Sequence, residues 1–280
     1  YQSGKGASGA DANNVGIGHQ ALTAAVNASN NIAIGKASMA AMTAGGNNVA
    51  IGGQALDAAD GGESGNVAVG IDAMTSVDEG GSGNADLNIA IGYQALVGGV
   101  FSGSEGLQGN IAIGAHALDA TAGNAQTGTI AIGHQSLTAL TSGAQNTSVG
   151  YQSSLALSTG SANTAIGWYA MKSGTDDAMS NNTVVGAYAG DGFTSEAIHS
   201  CTLIGSNAGG GAIESEASGS TAVGAEALLA LTSGAGNTAV GYQSGAGITT
   251  GLQNTLIGSG AGDGLTVTNN AVAIGDNALG

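Results

Sequence analysis

The sequence predicts an all-β chain folded as a parallel β-solenoid of about fifteen coils. Three observations predict it. One glycine recurs at short intervals along the whole chain, at Gly18, Gly35, Gly52, Gly70, Gly92, Gly114, Gly133, Gly150, Gly167, Gly186, Gly205, Gly224, Gly241, Gly258 and Gly275. The shortest intervals are of the Gly18 to Gly35 kind, and the longest are Gly70 to Gly92 and Gly92 to Gly114. The residue before the glycine is Ile or Val in every copy, and the third residue after it is Ala or Ser in every copy. Fixed columns inside one chain mark positions where each copy meets the same surroundings, as stacked coils do. The repeat matters because composition alone points the other way. With 53 Gly among 280 residues, 3% aromatics and a net charge of −16, the chain lies on the disordered side of the usual boundary. Coils that share one continuous core override that.

The elements follow in order along each copy. The three residues before the glycine read β-branched, Ala, β-branched, a period-2 strand pattern that the glycine ends. Ile17, Ile34, Ile51, Val69, Ile91, Ile113, Ile132, Ile166, Ile204, Ile257 and Ile274 are expected to stack as a buried column. The column two residues earlier is apolar from Val15 to Ile130, then Thr from Thr147 to Thr255, then Val272. A second short strand is expected after the corner, closing near Gly45, Gly143, Gly160, Gly234 or Gly251. Asn precedes the glycine by four in eleven copies, including Asn14, Asn31, Asn146 and Asn254, which predicts a ladder of amides bonded coil to coil. A glycine in every copy, clusters of Ser, Thr and Asn and no sustained helical period exclude helices. At a strand spacing of about 4.8 Å the stack would be on the order of 70 Å long. Residues 1–280 read as a single repeat array. Because Tyr1 to Gly4 repeat Tyr242 to Gly245, partial coils at both ends of a window on a longer fibre are expected. Both faces of such strands are apolar or small and neither is charged, so a lone roll would be sticky and association is expected.

The copies NNIAIG and NNVAIG, and above all Asn270 to Leu279 (NAVAIGDNAL), resemble the head repeats of trimeric autotransporter adhesins of the YadA-like kind. They equally resemble the related NTAIGYQAL-type repeats of phage and prophage tail fibres. The resemblance covers nearly the whole chain, and coils as long and as variable as these lean toward the tail-fibre variety. It implies a left-handed β-roll, three chains side by side as a homotrimer, an extracellular place on a cell or virion surface, and attachment to a host glycan or protein. It supplies no catalytic residues and no cofactor.

Charge and motif content narrow the function further. Lys5, Lys36 and Lys172 are the only basic residues, so the phosphate neutralisation that drives nucleic-acid binding is missing. Apolar runs are short, so no membrane insertion is expected in this segment. His19, His116, His134 and His199 have no metal-ligand spacing and read as surface or turn residues. Asp191 and Asp263, in matching AGDG turns, read as turn formers, and Cys201 reads as a buried inert thiol in a ladder position. No Ser, His and acid constellation can be assembled, so no enzyme is expected. Two surfaces are candidates for ligand contact. Tyr93, Tyr151, Trp168 and Tyr242, each following the repeat glycine, form an aromatic strip suited to sugars. The two longest coils are consecutive and carry long loops, Thr75 to Leu87 and Val97 to Gly109, holding Asp78, Glu79, Asp86, Phe101 and Glu105. The leading expectation is a structural or adhesive fibre segment. The alternative is an ice-binding β-solenoid, prompted by the Thr column and opposed by the Val and Ile in the same column, which suggest that it faces inward.

Overall fold

The computed structural model describes residues 13–78, 84–100, 106–121, 124–174, 179–194, 198–214 and 217–280. The protein is a parallel β-solenoid without an α-helix among the described residues. It has two compact units, Tyr1–Gln145 and Asn146–Gly280. The first holds β1 (Val15–Ile17), β2 (Ile32–Ile34), β3 (Val49–Ile51), β4 (Val67–Val69), β5 (Ile89–Ile91), β6 (Leu107–Gln108), β7 (Ile111–Ile113), β8 (Gln126–Thr127) and β9 (Ile130–Ile132). The second holds β10 (Thr147–Val149), β11 (Thr164–Ile166), β12 (Thr183–Val185), β13 (Thr202–Ile204), β14 (Thr221–Val223), β15 (Thr238–Val240), β16 (Thr255–Ile257) and β17 (Val272–Ile274). Within each unit the strand before each repeat glycine pairs in parallel with the equivalent strand of the next coil, as in Ile17↔Ile34, Ile34↔Ile51 and Thr147↔Thr164. The columns therefore stack in the register the repeat predicts.

Their orientation is the reverse of the expected one. The central residue of each strand is the buried one: Ala33, Ala50, Ala68, Ala90 and Ala112 have no exposure, whereas Ile51 and Ile91 are each 39% exposed. The Ile/Val column before the glycine faces outward, and so does the β-branched or Thr column two residues earlier. The physical reason is space. The opposite wall supplies Leu22, Met39, Leu56, Met74, Leu96 and Leu118, all fully buried, and the narrow interior has room for little more than a methyl group facing them. The second unit confirms this by exchange of volume. Where Leu203 and Leu256 replace the inward Ala, the opposite positions are Gly209 and Gly262, and a Cβ there would sit 2.8 Å from those leucine side chains.

Among the described residues the second strand is also mostly absent. After the glycine the chain turns through left-handed positions, two and four residues on, such as Gln94 (φ 51°) and Leu96 (φ 49°). These corners replace pleated backbone. What remains of the expected strand is the β6–β8 pair and isolated bridges such as Ser29↔Gly46↔Ser64. The repeat glycine itself is required twice over. Gly167 has φ 142°, and a Cβ on it would collide with the carbonyl oxygen of Gly186 in the next coil.

The amide ladder forms as predicted. Asn48 donates its backbone N–H to Asn31 Oδ1 at 2.9 Å, its Nδ2 to the same oxygen at 3.1 Å, and Nδ2 again to the Glu63 carbonyl at 2.8 Å. Asn163 repeats the pattern with Asn146 Oδ1 (3.0 and 3.1 Å) and the Met179 carbonyl (2.8 Å), and its own Oδ1 accepts from Asn182. Each side chain thus ties one coil to the next and the strand wall to the far wall. Asn163→Ala leaves the buried Asn182 N–H without its acceptor and takes one of its two donors from the Met179 carbonyl, which keeps the Ser161 N–H. It should cost about 2–4 kcal/mol, read as a lowered urea midpoint, and an unchanged midpoint would place the ladder outside the stabilising interactions.

Candidate binding surfaces

Three outward surfaces collect the residues that sequence reasoning singled out. The first is the sheet face. Its two columns pair Val15, Ile32, Val49, Val67, Ile89, Ile111 and Ile130 with the Ile/Val column of the first unit. In the second unit the Thr of β10 to β16 stand beside Val149, Ile166, Val185, Ile204, Val223, Val240 and Ile257. The side chains alternate across the strand, so both columns share one face. No charged residue belongs to these strands.

The second surface is the loop pair. Bridges Asp78↔Val100 and Asn84↔Gly106 lay the two long loops against each other, as insertions leaving the coil at one turn require. Glu79, Phe101 and Glu105 lie outside the described residues. Asp86 is a structural group, because its carboxylate accepts the Ser64 N–H at 2.6 Å. Asp78 joins Asp60 and Glu63, whose carboxylate oxygens all lie within 4.8 Å of one another. These are the acids among the described residues close enough to ligate one cation. Glu63 is fully buried and accepts the Gly61 N–H at 3.1 Å. Asp60 and Glu63 escaped sequence reasoning, although Asp60 lies one coil's length before Asp78, and laying the coils over one another would have found it.

The third surface is the corner just past the repeat glycine. In the first unit the rings of Tyr93 and His116 meet edge to face at 5.3 Å, and those of His116 and His134 at 6.4 Å, with His116 Nδ1 3.1 Å from Asp119 Oδ2. In the second, Tyr151 stacks on Trp168 at 4.4 Å and 14°, Tyr169 packs its edge against both, and Tyr188 joins Tyr169 at 5.4 Å. Tyr242 is 54% exposed, four coils beyond Trp168. Within the second unit Tyr242 thus stands apart from the group of Tyr151, Trp168, Tyr169 and Tyr188. His19 is exposed and His199 half-buried. Asp191 and Asp263 follow the left-handed Gly190 and Gly262 and form turns. Cys201 is buried, its thiol pushed up by desolvation, and its sulfur lies 3.7 and 3.6 Å from the His199 and Ala217 carbonyls.

The chain matches no family model and no curated protein.

The acids set a pH dependence. A hydrogen bond with Asp78, then burial and charge repulsion, raise Asp60 above the ordinary aspartate value of 3.8. Burial raises Asp57, Asp119 and Asp191, the last two partly offset by His116 and Lys172 respectively. A carboxyl with a raised folded pKa holds its proton more tightly in the folded state, so stability falls as pH rises from the ordinary value through the folded one. The melting temperature should therefore rise as pH drops from neutral toward the ordinary aspartate range. Asp60→Asn should reduce the rise, and a melting temperature that falls over this range would contradict the assignment.

Proposed function

We propose that the chain is a structural and adhesive fibre segment, a stack of about fifteen coils that associates as a homotrimer through its sheet face. It serves in attachment at a cell or virion surface, as an extracellular shaft or a binding segment. The observation that carries this reading is the outward placement of two parallel columns of β-branched side chains on an uncharged face. A contiguous apolar stripe of this kind is rare on a protein that stays monomeric. Burying it between chains removes apolar area from water at roughly 25 cal/mol per Å². The sequence resemblance to adhesin heads and tail fibres agrees with three chains and a left-handed roll. Host-surface glycan or protein is the expected partner besides the chain itself.

The test separates folding from assembly. Because Ile91 faces out, Ile91→Glu should leave the circular dichroism of the coil intact. It would place acidic groups together in a face without cations, and light scattering should show the trimer reduced to monomer. A wild-type chain that is a stable monomer would refute the fibre reading.

A second reading, ice binding, has one observation in its favour. The Thr residues of β10 to β16 face outward in register, which removes the argument that they point inward. Their partners in the same face are Ile and Val in place of a second Thr. Measurable thermal hysteresis abolished by Thr202→Lys would establish it, and its absence at micromolar protein would dismiss it.

A further inference from the structure

We propose that the corner column from Trp168 to Tyr242 is a binding slot for a neutral saccharide, with a pyranose ring stacked on the indole face of Trp168 that looks toward Ala187. The inference rests on the attachment reading and names its ligand class and its site.

The column is defined by backbone bonds. Tyr188 N–H donates to the Trp168 carbonyl at 2.9 Å, Asn207 to Ala187 at 3.0 Å, Glu226 to Ser206 at 2.8 Å and Gln243 to Ala225 at 3.0 Å. Trp168, Ala187, Ser206, Ala225 and Tyr242 therefore stand one above another on successive coils. Four steps span about 19 Å. Both ends are large exposed aromatics, Trp168 at 49% and Tyr242 at 54%. The three residues between are small, Ala187 and Ser206 exposed and Ala225 half-buried. Tyr151 covers one face of the indole in parallel at 4.4 Å, and Tyr169 meets it edge-on at 5.2 Å. The place where the next stacked ring would lie belongs to Ala187, which offers only a methyl group.

The chemistry of the rim selects the ligand. The residues after the five column members are Tyr169, Tyr188, Asn207, Glu226 and Gln243, with Gln243 Nε2 donating to Glu226 Oε2 at 2.7 Å. Phenol, amides and one carboxylate suit a ring of hydroxyls, while the aromatic face suits its C–H side. Lys172 is the nearest base in sequence, and its Nζ lies 4.1 Å from the Tyr169 ring centroid. Acidic sugars would find Glu226 and no free cation in the slot. An extended peptide would find no strand edge to join, since the column's backbone groups are already bonded coil to coil.

Trp168 is the chain's one tryptophan, so its fluorescence reports the slot directly. The intact chain is titrated with maltohexaose, cellohexaose and laminarihexaose, and with hexagalacturonate as the acidic counterpart. At least one neutral hexasaccharide should change the emission saturably while hexagalacturonate does not. Ala187→Leu, which fills the slot, should weaken that binding about tenfold or more, and Tyr242→Ala by several-fold; Tyr93→Ala, in the other unit, should leave it unaltered. Emission that stays flat to millimolar neutral sugar, tighter binding of hexagalacturonate, or full affinity in Ala187→Leu would each overturn the proposal. Light scattering on the same samples keeps the two readings apart: a trimer with silent tryptophan refutes the slot alone, and a monomer refutes the fibre.

Discussion

The buried asparagine ladder is the interaction on which the rest of this fold depends. A solenoid coil this short has almost no side-chain interior of its own, and its backbone must still satisfy polar groups on walls that no longer pleat. The amide side chain solves both problems from one position. Its oxygen accepts the next coil's N–H, and its nitrogen reaches across the hollow to a carbonyl on the far wall, as Asn66 does to Ala85 at 2.7 Å and Asn88 to Leu107 at 2.6 Å. Where the column changes residue the repair is visible. At Thr129 the ladder lacks its amide, and Gln126 supplies one from just upstream, its Nε2 donating to the Leu140 carbonyl at 3.0 Å. The repair is incomplete, because Gln126 Oε1 and the Thr129 hydroxyl are buried without a hydrogen-bond partner among the described residues.

Much of this was legible in the sequence, and what was not has a definite cause. The glycine, Ile/Val, Ala/Ser and Asn columns marked the coil boundaries, the strand register and the ladder, because each has a side-chain requirement that recurs. Which strand face is inside was not legible. Period 2 separates two faces without labelling them, and here both were apolar. Volume decides, and the clue lay in paired changes across the coil: Leu203 with Gly209 and Leu256 with Gly262, against Ala with Leu or Met in most other coils, as in Ala50 with Leu56. The left-handed corners were hidden as well, because Gln, Leu and Met do not signal positive φ. Tertiary context imposes that conformation on Leu96 and Leu118 and offsets its cost by burying them. Of the candidate surfaces, the aromatic positions were readable from the repeat, but the parallel stacking of Tyr151 on Trp168 depends on side-chain placement that spacing does not give.

The molecule is thus turned partly inside out. The Ile and Val of the strands lie outside, while the interior is lined by Ala, Ser and Asn, by a row of Leu or Met such as Leu56 and Met74, and by further large apolar residues such as Leu140, Leu157, Phe193 and Ile248. Backbone bonding and amide bridges between coils add to the cohesion that this apolar interior supplies. The outward columns leave a band of β-branched side chains exposed on one face of the sheet.

The stacked loops of the two longest coils have a consequence for how such a chain can change. Ala68, Ala90 and Ala112 remain in register across both insertions. Length added at that turn is invisible to the ladder and to the glycine column. Surface variety and structural continuity are therefore written in separate parts of each repeat. A chain of this kind can exchange, lengthen or delete whole loops while the scaffold that displays them stays fixed.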